Sequence, residues 1–213
     1  MTDGTRRRFG RLGGWRWALI AALAVAFAAP ASAQAGVLVA SAPNCDAQVL
    51  ASPFLPWIDP ATYTLDNGGS FENGAPGWSL DGASVVSGNE SYDVGGSGDS
   101  SSLSLPNGSS ATSASICVGL EHPDLRVFTR NTGSILGSLR VDVLFEDGAG
   151  NTHSLTIGKI FNGSRWQPSV QMPLVVNLLP LLPGNYTPVE FRFTPQGGNW
   201  QVDDVYVDPH HSG

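Results

Sequence analysis

The chain has 213 residues and a formal net charge of −7 at pH 7. Residues 1–35 hold five arginines and one acidic residue, so the rest of the chain keeps 6 basic and 17 acidic residues. A surface this acidic argues against binding to nucleic acid or to anionic membranes, and it suits a soluble protein that holds divalent cations.

Residues 1–35 have the three parts of an export signal. The basic stretch TRRRFGRLGGWRW precedes the apolar run ALIAALAVAFAA, and PASAQA offers small residues for cleavage after Ala33 or Ala35. The apolar run is shorter than the ~20 residues of a membrane span. We therefore expect a secreted, extracellular chain without a membrane span in its mature form. The adjacent arginines before Phe9 resemble a twin-arginine signal, and the general secretory route is the alternative.

Two cysteines, Cys45 and Cys117, follow this signal. In an oxidising compartment an even number of cysteines favours pairing, so we predict one disulfide. It would tie an N-terminal arm, residues 36–66, to the middle of the domain. The arm contains the Pro-rich segment SPFLPWIDP and is expected to pack along the main fold.

The remaining chain alternates short apolar runs with turn dipeptides such as Asn-Gly and Asp-Gly, and it has no convincing amphipathic helix. The segments SLRVDVLFED, TPVEFRFTP and NWQVDDVYVDP alternate as strands do, as do ASVVSG, SLSLP, SASICVG and LRVFTRN. Many short strands at this spacing predict an all-β fold. We expect an antiparallel β-sandwich of the jelly-roll type over residues 67–209, followed by a tail, 210–213.

One apolar segment does not fit this pattern. Residues 173–183, PLVVNLLPLLP, contain Pro180 and Pro183, which argue against a long helix. We expect a buried crossing between strands or a short helical turn there.

Two segments at the ends of the predicted sandwich carry a resemblance to a known family. NGGSFENGAPGWSLDG (67–82) resembles the first strand of jelly-roll carbohydrate-binding modules, and NWQVDDVYV (199–207) resembles their last strand. The chain as a whole also resembles small exported proteins of high-GC Gram-positive bacteria. The resemblance implies a galactose-binding-like jelly roll in which Phe71 and Trp78 point toward the core.

The resemblance also implies a metal. Such modules often hold a structural calcium ion where the first and last strands meet, bound by the Glu of Phe-Glu and by an Asp of the Asp-Asp pair. Calcium accepts six to eight oxygen ligands in flexible geometry, so carboxylates from two distant strands can share it. The matching residues here are Glu72 and Asp203, with Asp204 as the substitute. Alternatively, Glu72 caps a turn or pairs with an arginine while the aspartates are solvated.

A sugar site needs flat aromatic rings and polar neighbours. Trp78 and Trp200 lie in the two motif segments and are expected to be partly in the core. This leaves Trp57 and Trp166 as candidate stacking platforms, together with Tyr63, Tyr92 and Tyr186.

Strand alternation places Arg126, Arg140 and Arg192 on outward faces among carboxylates. These arginines either line a polar groove for an acidic or hydroxyl-rich ligand or form cross-strand ion pairs on a solvated sheet. The pattern of residues leaves both interpretations open.

No catalytic motif is recognisable. The sequence has neither a Gly-x-Ser-x-Gly elbow nor a His-Glu-x-x-His pair, and its histidines are His122, His153, His210 and His211. We expect a monomeric, non-catalytic module that binds a carbohydrate or another cell-envelope polymer. The alternatives are a structural or protein-interaction domain on the same scaffold, without a sugar site, and a small hydrolase.

Overall fold

The computed structural model describes residues 37–42, 45–119, 123–174 and 186–209. Within these ranges antiparallel strands form two sheets that pack face to face, which confirms the predicted all-β sandwich. The predicted export signal, residues 175–183 of the apolar segment, and the tail lie outside the described residues. No helix among the described residues is both long and apolar enough to cross a membrane.

The first sheet is built around one long central strand near the end of the chain. Its strands are β1 (Thr64–Leu65), β3 (Ser84–Ser87), β4 (Ser101–Leu105), β7 (Asp124–Asn131), β10 (Gln167–Pro168), β11 (Met172–Pro173) and β13 (Trp200–Asp208). They lie in the order β10-β7-β13-β4-β3, with β1 also beside β13 and β11 also beside β7.

The second sheet contains β2 (Ser79–Asp81), β5 (Ser110–Thr112), β6 (Ile116–Val118), β8 (Ser138–Glu146), β9 (Thr152–Ile160) and β12 (Thr187–Gln196). Their order is β2-β5-β12-β8-β9, with β6 also beside β12. Outside the sheets lie the short helix α1 (Val37–Ala40) and two single 3-10 turns, Cys45–Ala47 and Leu55–Trp57.

The main core lies between the sheets and follows from the alternation of apolar residues. In β12, Val189, Phe191 and Phe193 are fully buried, whereas the intervening Glu190 and Arg192 are half-buried on the outer face. Strands β8 and β13 contribute in the same way, and Trp200 is fully buried. Each such side chain contributes about 1.5–3 kcal/mol to folding, so this alternation fixes which face of each sheet points inward.

A second, smaller core lies on the outer face of the first sheet. Phe128 and Tyr206 project outward from β7 and β13, and the arm covers them with Phe54 and Tyr63. The Phe54 and Phe128 rings stack at 5.4 Å, and the Phe54 and Tyr63 rings meet edge to face at 4.9 Å. The arm is therefore an integral layer of the fold on this side.

Covalent and polar contacts also hold the arm in place. Cys45 and Cys117 form the predicted disulfide. Ala51 and Tyr63 exchange backbone hydrogen bonds of 2.8 and 2.7 Å, which close residues 52–62 into a loop. Strand β1 belongs to the arm and pairs with β13, so the first sheet begins before residue 67.

Residues 67–78, which resemble the first strand of the family, form turns rather than a strand. Gly68, Gly74 and Gly77 have φ angles of 75°, 79° and 81°, and Phe71 itself has a φ of 61°. Left-handed conformations at this density interrupt an extended strand. The expected orientation of the aromatics is nevertheless confirmed, because Phe71 is fully buried and its ring lies 5.0 Å from that of Trp78.

Candidate functional site

An irregularity in β13 creates the most acidic region of the fold. The pairing of β13 with β7 shifts register between Asp203 and Tyr206, and Asp204 has a φ of 46°. Such bulges leave one residue unpaired and redirect its side chain. Asp203 and Asp204 are 0% and 1% exposed. Together with Glu72, Glu90 and Asp99, which act on them electrostatically, they form what we call the acidic cluster.

The two aspartates of the bulge differ in their hydrogen bonds. Asp203 accepts the backbone N–H of Glu90 at 2.8 Å and that of Asp204 at 3.0 Å. Both carboxylate oxygens of Asp204 are buried without a partner among the described residues. A buried carboxylate without a partner is costly unless it is protonated or meets a cation. Asp204 is thus the residue of the cluster whose carboxylate is available to bind a cation.

Burial is the main cause of the high pKa values in the cluster. It raises the pKa of Asp203 to about 9, with Asp204 adding to the effect. It raises the pKa of Asp204 to about 7, assisted by Glu90, Asp99 and Glu72. Burial likewise raises the pKa of Glu90 and of Asp99. Like charges held this close favour a bound cation or a shared proton.

Gly95 brings the backbone close to two of these acids. A Cβ on Gly95 would clash with Oδ2 of Asp99 and would lie 3.3 Å from Oδ1 of Asp204. The two carboxylates therefore converge beside the Gly95 backbone. Asp99 and Asp204 are the pair in the cluster that this convergence places to share a cation.

The predicted ligand Glu72 lies at the rim of the cluster and already accepts hydrogen bonds. Its Oε1 accepts the backbone N–H groups of Ser100 and Ser101 at 2.9 and 2.7 Å. These bonds fix the start of β4 beside the bulge. Among the described residues no three His, Cys, Asp or Glu side chains stand in ready-made metal-ligand geometry.

A cleft lies where the arm meets β7 and β13. This cavity, which we call the Trp57 cleft, has a volume of about 750 Å³ and is lined by Trp57, Asp59, Thr62, Arg126, Gln171 and Asp208, among others. Its size is that of a small-molecule site, and it combines an aromatic wall with several polar groups.

The polar wall of the Trp57 cleft is rigid. Arg126 is buried, forms an ion pair with Asp59, and donates from Nε and Nη2 to the carbonyl of Ser169 at 3.1 and 2.8 Å. Its guanidinium also stacks 4.2 Å above the Phe54 ring. Burial acts to raise the pKa of Asp59, but hydrogen bonds from Tyr63 and Arg126 outweigh it and lower the pKa. Arg126 therefore anchors the arm, and its guanidinium is already engaged by Asp59 and Ser169.

The candidate aromatic platforms differ in how deeply their side chains are buried. Trp166 is 6% exposed and lies under the guanidinium of Arg130 at 5.0 Å, and Tyr63 is fully buried. Neither presents a free face, so the expectation that they serve as platforms is wrong. Trp57 is half-buried, and its ring contacts Tyr92 and Phe128 edge to face at 4.8 and 5.4 Å. Those contacts orient Trp57 at the cleft.

The other two predicted arginines lie on the opposite sheet. Arg140 and Arg192 both approach Asp142 Oδ2, at 3.1 and 3.4 Å, and Thr156 donates to Asp142 Oδ1 at 2.6 Å. Arg192 also donates to the Ser154 hydroxyl at 2.9 Å. The structure therefore does not bring Arg140 and Arg192 together with Arg126. Arg192 pairs with Asp142 across β12 and β8, and Arg140 pairs with it along β8. Their arrangement is the ion-pair alternative that the sequence offered.

Sequence reasoning missed Glu90 and Asp99 in the acidic cluster, and Asp59 and Gln171 in the Trp57 cleft. All four lie in loops whose path depends on tertiary contacts, so no local pattern marks them. One weak signal existed for Asp99, because a glycine-rich loop rich in acids and serines, YDVGGSGDSSS, precedes β4.

One histidine is described in full, His153, whose Nε2 lies 2.8 Å from Asp147 Oδ2 in an exposed turn. This hydrogen bond is the main cause of the lowered pKa of Asp147. The pair stabilises the turn between β8 and β9. His122, His210 and His211 lie outside the described residues.

No protein-family model matches the chain, and no curated protein matches it in sequence. Solved structures do match. The N-terminal CBM22-1–CBM22-2 tandem domain from Paenibacillus barcinonensis aligns with a TM-score of 0.50 and 13% identity, over 72% of this chain and 46% of that one. The CBM22-1 xylan-binding domain from the same organism aligns with a TM-score of 0.48 and 16% identity, over 67% and 93%.

A third similar structure is a xylan-binding domain of CBM 22, with a TM-score of 0.47 and 17% identity over 73% of this chain and 99% of that one. The chain spans less than half the length of the first structures it matches, namely 28%, 20% and 46%. At these identities the similarity concerns the fold. The chain has the jelly-roll β-sandwich that carbohydrate-binding modules have.

Proposed function

We propose that this chain is an exported, monomeric, non-catalytic module that binds a carbohydrate in the Trp57 cleft. The observation that carries this proposal is the cleft itself, an aromatic wall beside convergent polar groups on the scaffold of carbohydrate-binding modules. The structural neighbours are carbohydrate-binding modules, which indicates the class of ligand. Because we propose that the protein is exported, we expect this carbohydrate to be part of a cell-envelope polymer.

The chemistry of the cleft fits a sugar ring. Trp57 offers an indole on which the apolar C–H face of a pyranose can stack, and Thr62 and Gln171 offer hydroxyl and amide groups for its hydroxyls. Gln171 is only loosely held, at 3.4 Å from Asp59 Oδ2 and 3.5 Å from the Tyr63 hydroxyl, so it is free to reorient toward a ligand. The Arg126–Asp59 pair keeps the wall in place and reduces the ordering cost of binding.

Binding to a panel of insoluble polysaccharides and cell-wall preparations tests this proposal, with xylan among the probes. Trp57→Ala should abolish retention on any polysaccharide that retains the wild type, because it removes the stacking face. Trp166→Phe is the matched control, since Trp166 is buried and outside the cleft, and should leave retention unchanged. Absence of retention across the panel, or retention that survives Trp57→Ala, would contradict the proposal.

We also propose that a structural calcium ion binds the acidic cluster. The fit rests on the two oxygens of Asp204 that have no partner among the described residues and on the convergence of Asp99 and Asp204 beside Gly95. Asp204 and Asp99 would supply the first ligands, Glu72 would supply one after releasing a backbone N–H, and Asp203 would support Asp204 through its backbone. Calcium would neutralise a cluster that otherwise depends on protonation.

The melting temperature with calcium and with a chelator tests the metal. Calcium should raise it, and Gly95→Ala should remove that increase because the new methyl group would push the Asp99 carboxylate away from Asp204. Gly98→Ala is the matched control, since a Cβ there meets no atom within 4 Å. An equal response to calcium in both variants, or no response in the wild type, would refute the calcium site.

A protein partner is the second candidate for the same cleft. Ile58 and Val170 flank it and are 94% and 75% exposed. Large apolar side chains this exposed are typical of contact surfaces between proteins. In the polysaccharide experiment this function predicts no retention, together with loss of partner binding on Ile58→Ser.

A further inference from the structure

A second cavity lies between the arm and the edge of the sandwich, away from the Trp57 cleft. This arm pocket has a volume of about 990 Å³ and includes Gln48, Val49, Leu65, Asp66, Ser115 and Glu190 in its lining. The disulfide partner Cys117 lies next to this wall, in β6. The pocket therefore exists only because the arm is held against the sandwich.

Three polar side chains of the arm pocket have buried atoms without a partner among the described residues. They are both carboxylate oxygens of Asp66, Oε1 of Gln48, and the hydroxyl of Ser115. Native proteins leave few such atoms unsatisfied, so a group of them lining one cavity indicates a missing partner.

Asp66 is the most constrained of these groups. It is 1% exposed although it lines the cavity, so it lies at the base. Its backbone N–H donates to the Val205 carbonyl at 2.8 Å, which fixes it against β13. Ser113 and the Asn67 N–H lie near enough to favour the charged form, but the Ser113 hydroxyl proton is committed to the Ala114 carbonyl at 2.8 Å. Neither the Ser113 hydroxyl nor the Asn67 N–H meets the Asp66 carboxylate in hydrogen-bond geometry, so both of its oxygens are without a partner among the described residues.

The Gln48 amide also has an acceptor atom without a partner among the described residues. Its Nε2 donates to the Cys117 carbonyl at 2.8 Å, which assigns the amide nitrogen and leaves Oε1 as the unpartnered acceptor. Glu190 adds a second carboxylate, for which no hydrogen bond or ion pair is found within the described ranges. Burial and the nearby charge of Glu146 raise the pKa of Glu190.

The pocket supplies acceptors and negative charge, and no basic side chain is among its described lining residues. The other walls are largely apolar, with Val49 and Leu65 among them. A complementary ligand must therefore bring N–H donors, positive charge and a hydrocarbon body. We propose that the arm pocket binds an alkylammonium group, with the ammonium at Asp66 and Gln48 and the chain along the apolar wall.

Calorimetric titration of the disulfide-bonded protein with n-pentylamine at pH 9 tests this inference, because burial raises the pKa of Asp66 to about 8 and the carboxylate is ionised there. The amine is still an ammonium at this pH, and 1-pentanol is the probe of equal length without the charge. The amine should bind and the alcohol should bind at least roughly tenfold more weakly, because only the amine can donate charge-assisted hydrogen bonds to the carboxylate. Nα-acetyl-lysine methylamide, a second amine probe, distinguishes a protein lysine from a free amine as the natural source. Binding of either amine supports the shared chemistry.

Asp66→Asn should weaken amine binding by roughly tenfold or more, since the amide keeps the shape and loses the charge. This variant should fold, because it replaces a buried, unpartnered carboxylate with a neutral isostere. Glu190→Gln should give a smaller loss, and Asp142→Asn, which lies outside the lining of the pocket, should leave binding unchanged. Equal binding of amine and alcohol, or an affinity for the amine that Asp66→Asn does not reduce, would overturn the inference.

Discussion

The outer faces of the two sheets differ although similar sequence patterns produce them. On the first sheet the outward residues Phe128, Tyr206 and Arg126 are covered by the arm, and Arg126 is only 8% exposed. On the second sheet the outward Arg140 and Arg192 remain about one-third exposed in their side chains around Asp142. One arginine thus works as a buried anchor and the other two as surface ion pairs.

The difference shows what decides the role of an outward charged residue. In a β-sandwich the alternation along a strand determines which residues face the core and which face outward. A segment from elsewhere in the chain decides whether an outward face is exposed to water. Here the arm reaches the first sheet, places a carboxylate beside Arg126, and leaves the Trp57 cleft and the arm pocket along its margins. The Trp57 cleft therefore lies on the covered face of the first sheet, whereas the arm pocket lies at its margin and reaches Glu190 of the second sheet.

Replacing the anchor should give the largest effect. Arg126→Met leaves Asp59, a buried residue of the arm, without its cation. Breaking a buried ion pair in this way costs about 3–5 kcal/mol. Urea unfolding of Arg126→Met measures the loss. Arg192→Met is the matched change on the open face and should cost no more than about 1 kcal/mol. Equal losses for the two variants would mean that the faces do not differ as described.

Removing the disulfide should give a somewhat smaller effect. Cys45→Ser combined with Cys117→Ser should lower the free energy of unfolding by about 2–4 kcal/mol, because the unfolded chain regains the freedom of a long loop. The arm should also become accessible to protease between residues 46 and 62, while the second sheet stays protected. Cleavage that begins in the second sheet would contradict the prediction that the disulfide mainly holds the arm in place.

The pH dependence of stability tests the buried acid on the covered side. Burial raises the pKa of Asp66 from its ordinary 3.8 to about 8, so the folded state holds the proton more tightly than the unfolded state does. Its contribution to stability is therefore complete below about pH 4 and is lost as the pH rises toward 8.

Melting temperatures from pH 4 to pH 8, measured in chelator, should fall less steeply for Asp66→Asn than for the wild type. Part of the slope should persist, because Asp203 and Asp204 also have raised pKa values. Parallel curves for the wild type and the variant would show that Asp66 is ionised in both states.

Much of this fold can be read from the sequence because it depends on local alternation. The strands β8, β12 and β13 were predictable from their alternating sequences, and in β12 the two-residue period also matches burial. Burial in β8 and β13 is more continuous, because other segments cover part of their outer faces. The segment 67–78 was not, because its resemblance to a strand said nothing of the left-handed φ of Phe71. Two short pairings, β10 and β11 with β7, depend on neighbours far along the chain.

The sites were harder to predict than the strands. Glu72 and the Asp-Asp pair could be named from the resemblance, but the roles of the two aspartates depend on a bulge that only the packed sheet produces. Arg126 looked like Arg140 and Arg192 in the sequence, and it differs from them only because Asp59 and Phe54 arrive from the arm. Charge pattern alone cannot reveal a covering segment.

The central claim is that a carbohydrate binds on the covered side, in the Trp57 cleft. The most direct test is the change in NMR signals of the side-chain N–H groups on titration with xylohexaose, or with whichever oligosaccharide corresponds to a polysaccharide that retains the protein. We expect the Trp57 indole signal to shift and the Arg140 and Arg192 signals to stay unchanged. Shifts confined to Arg140 and Arg192 would place the ligand on the open face of the second sheet and rule out binding in the Trp57 cleft.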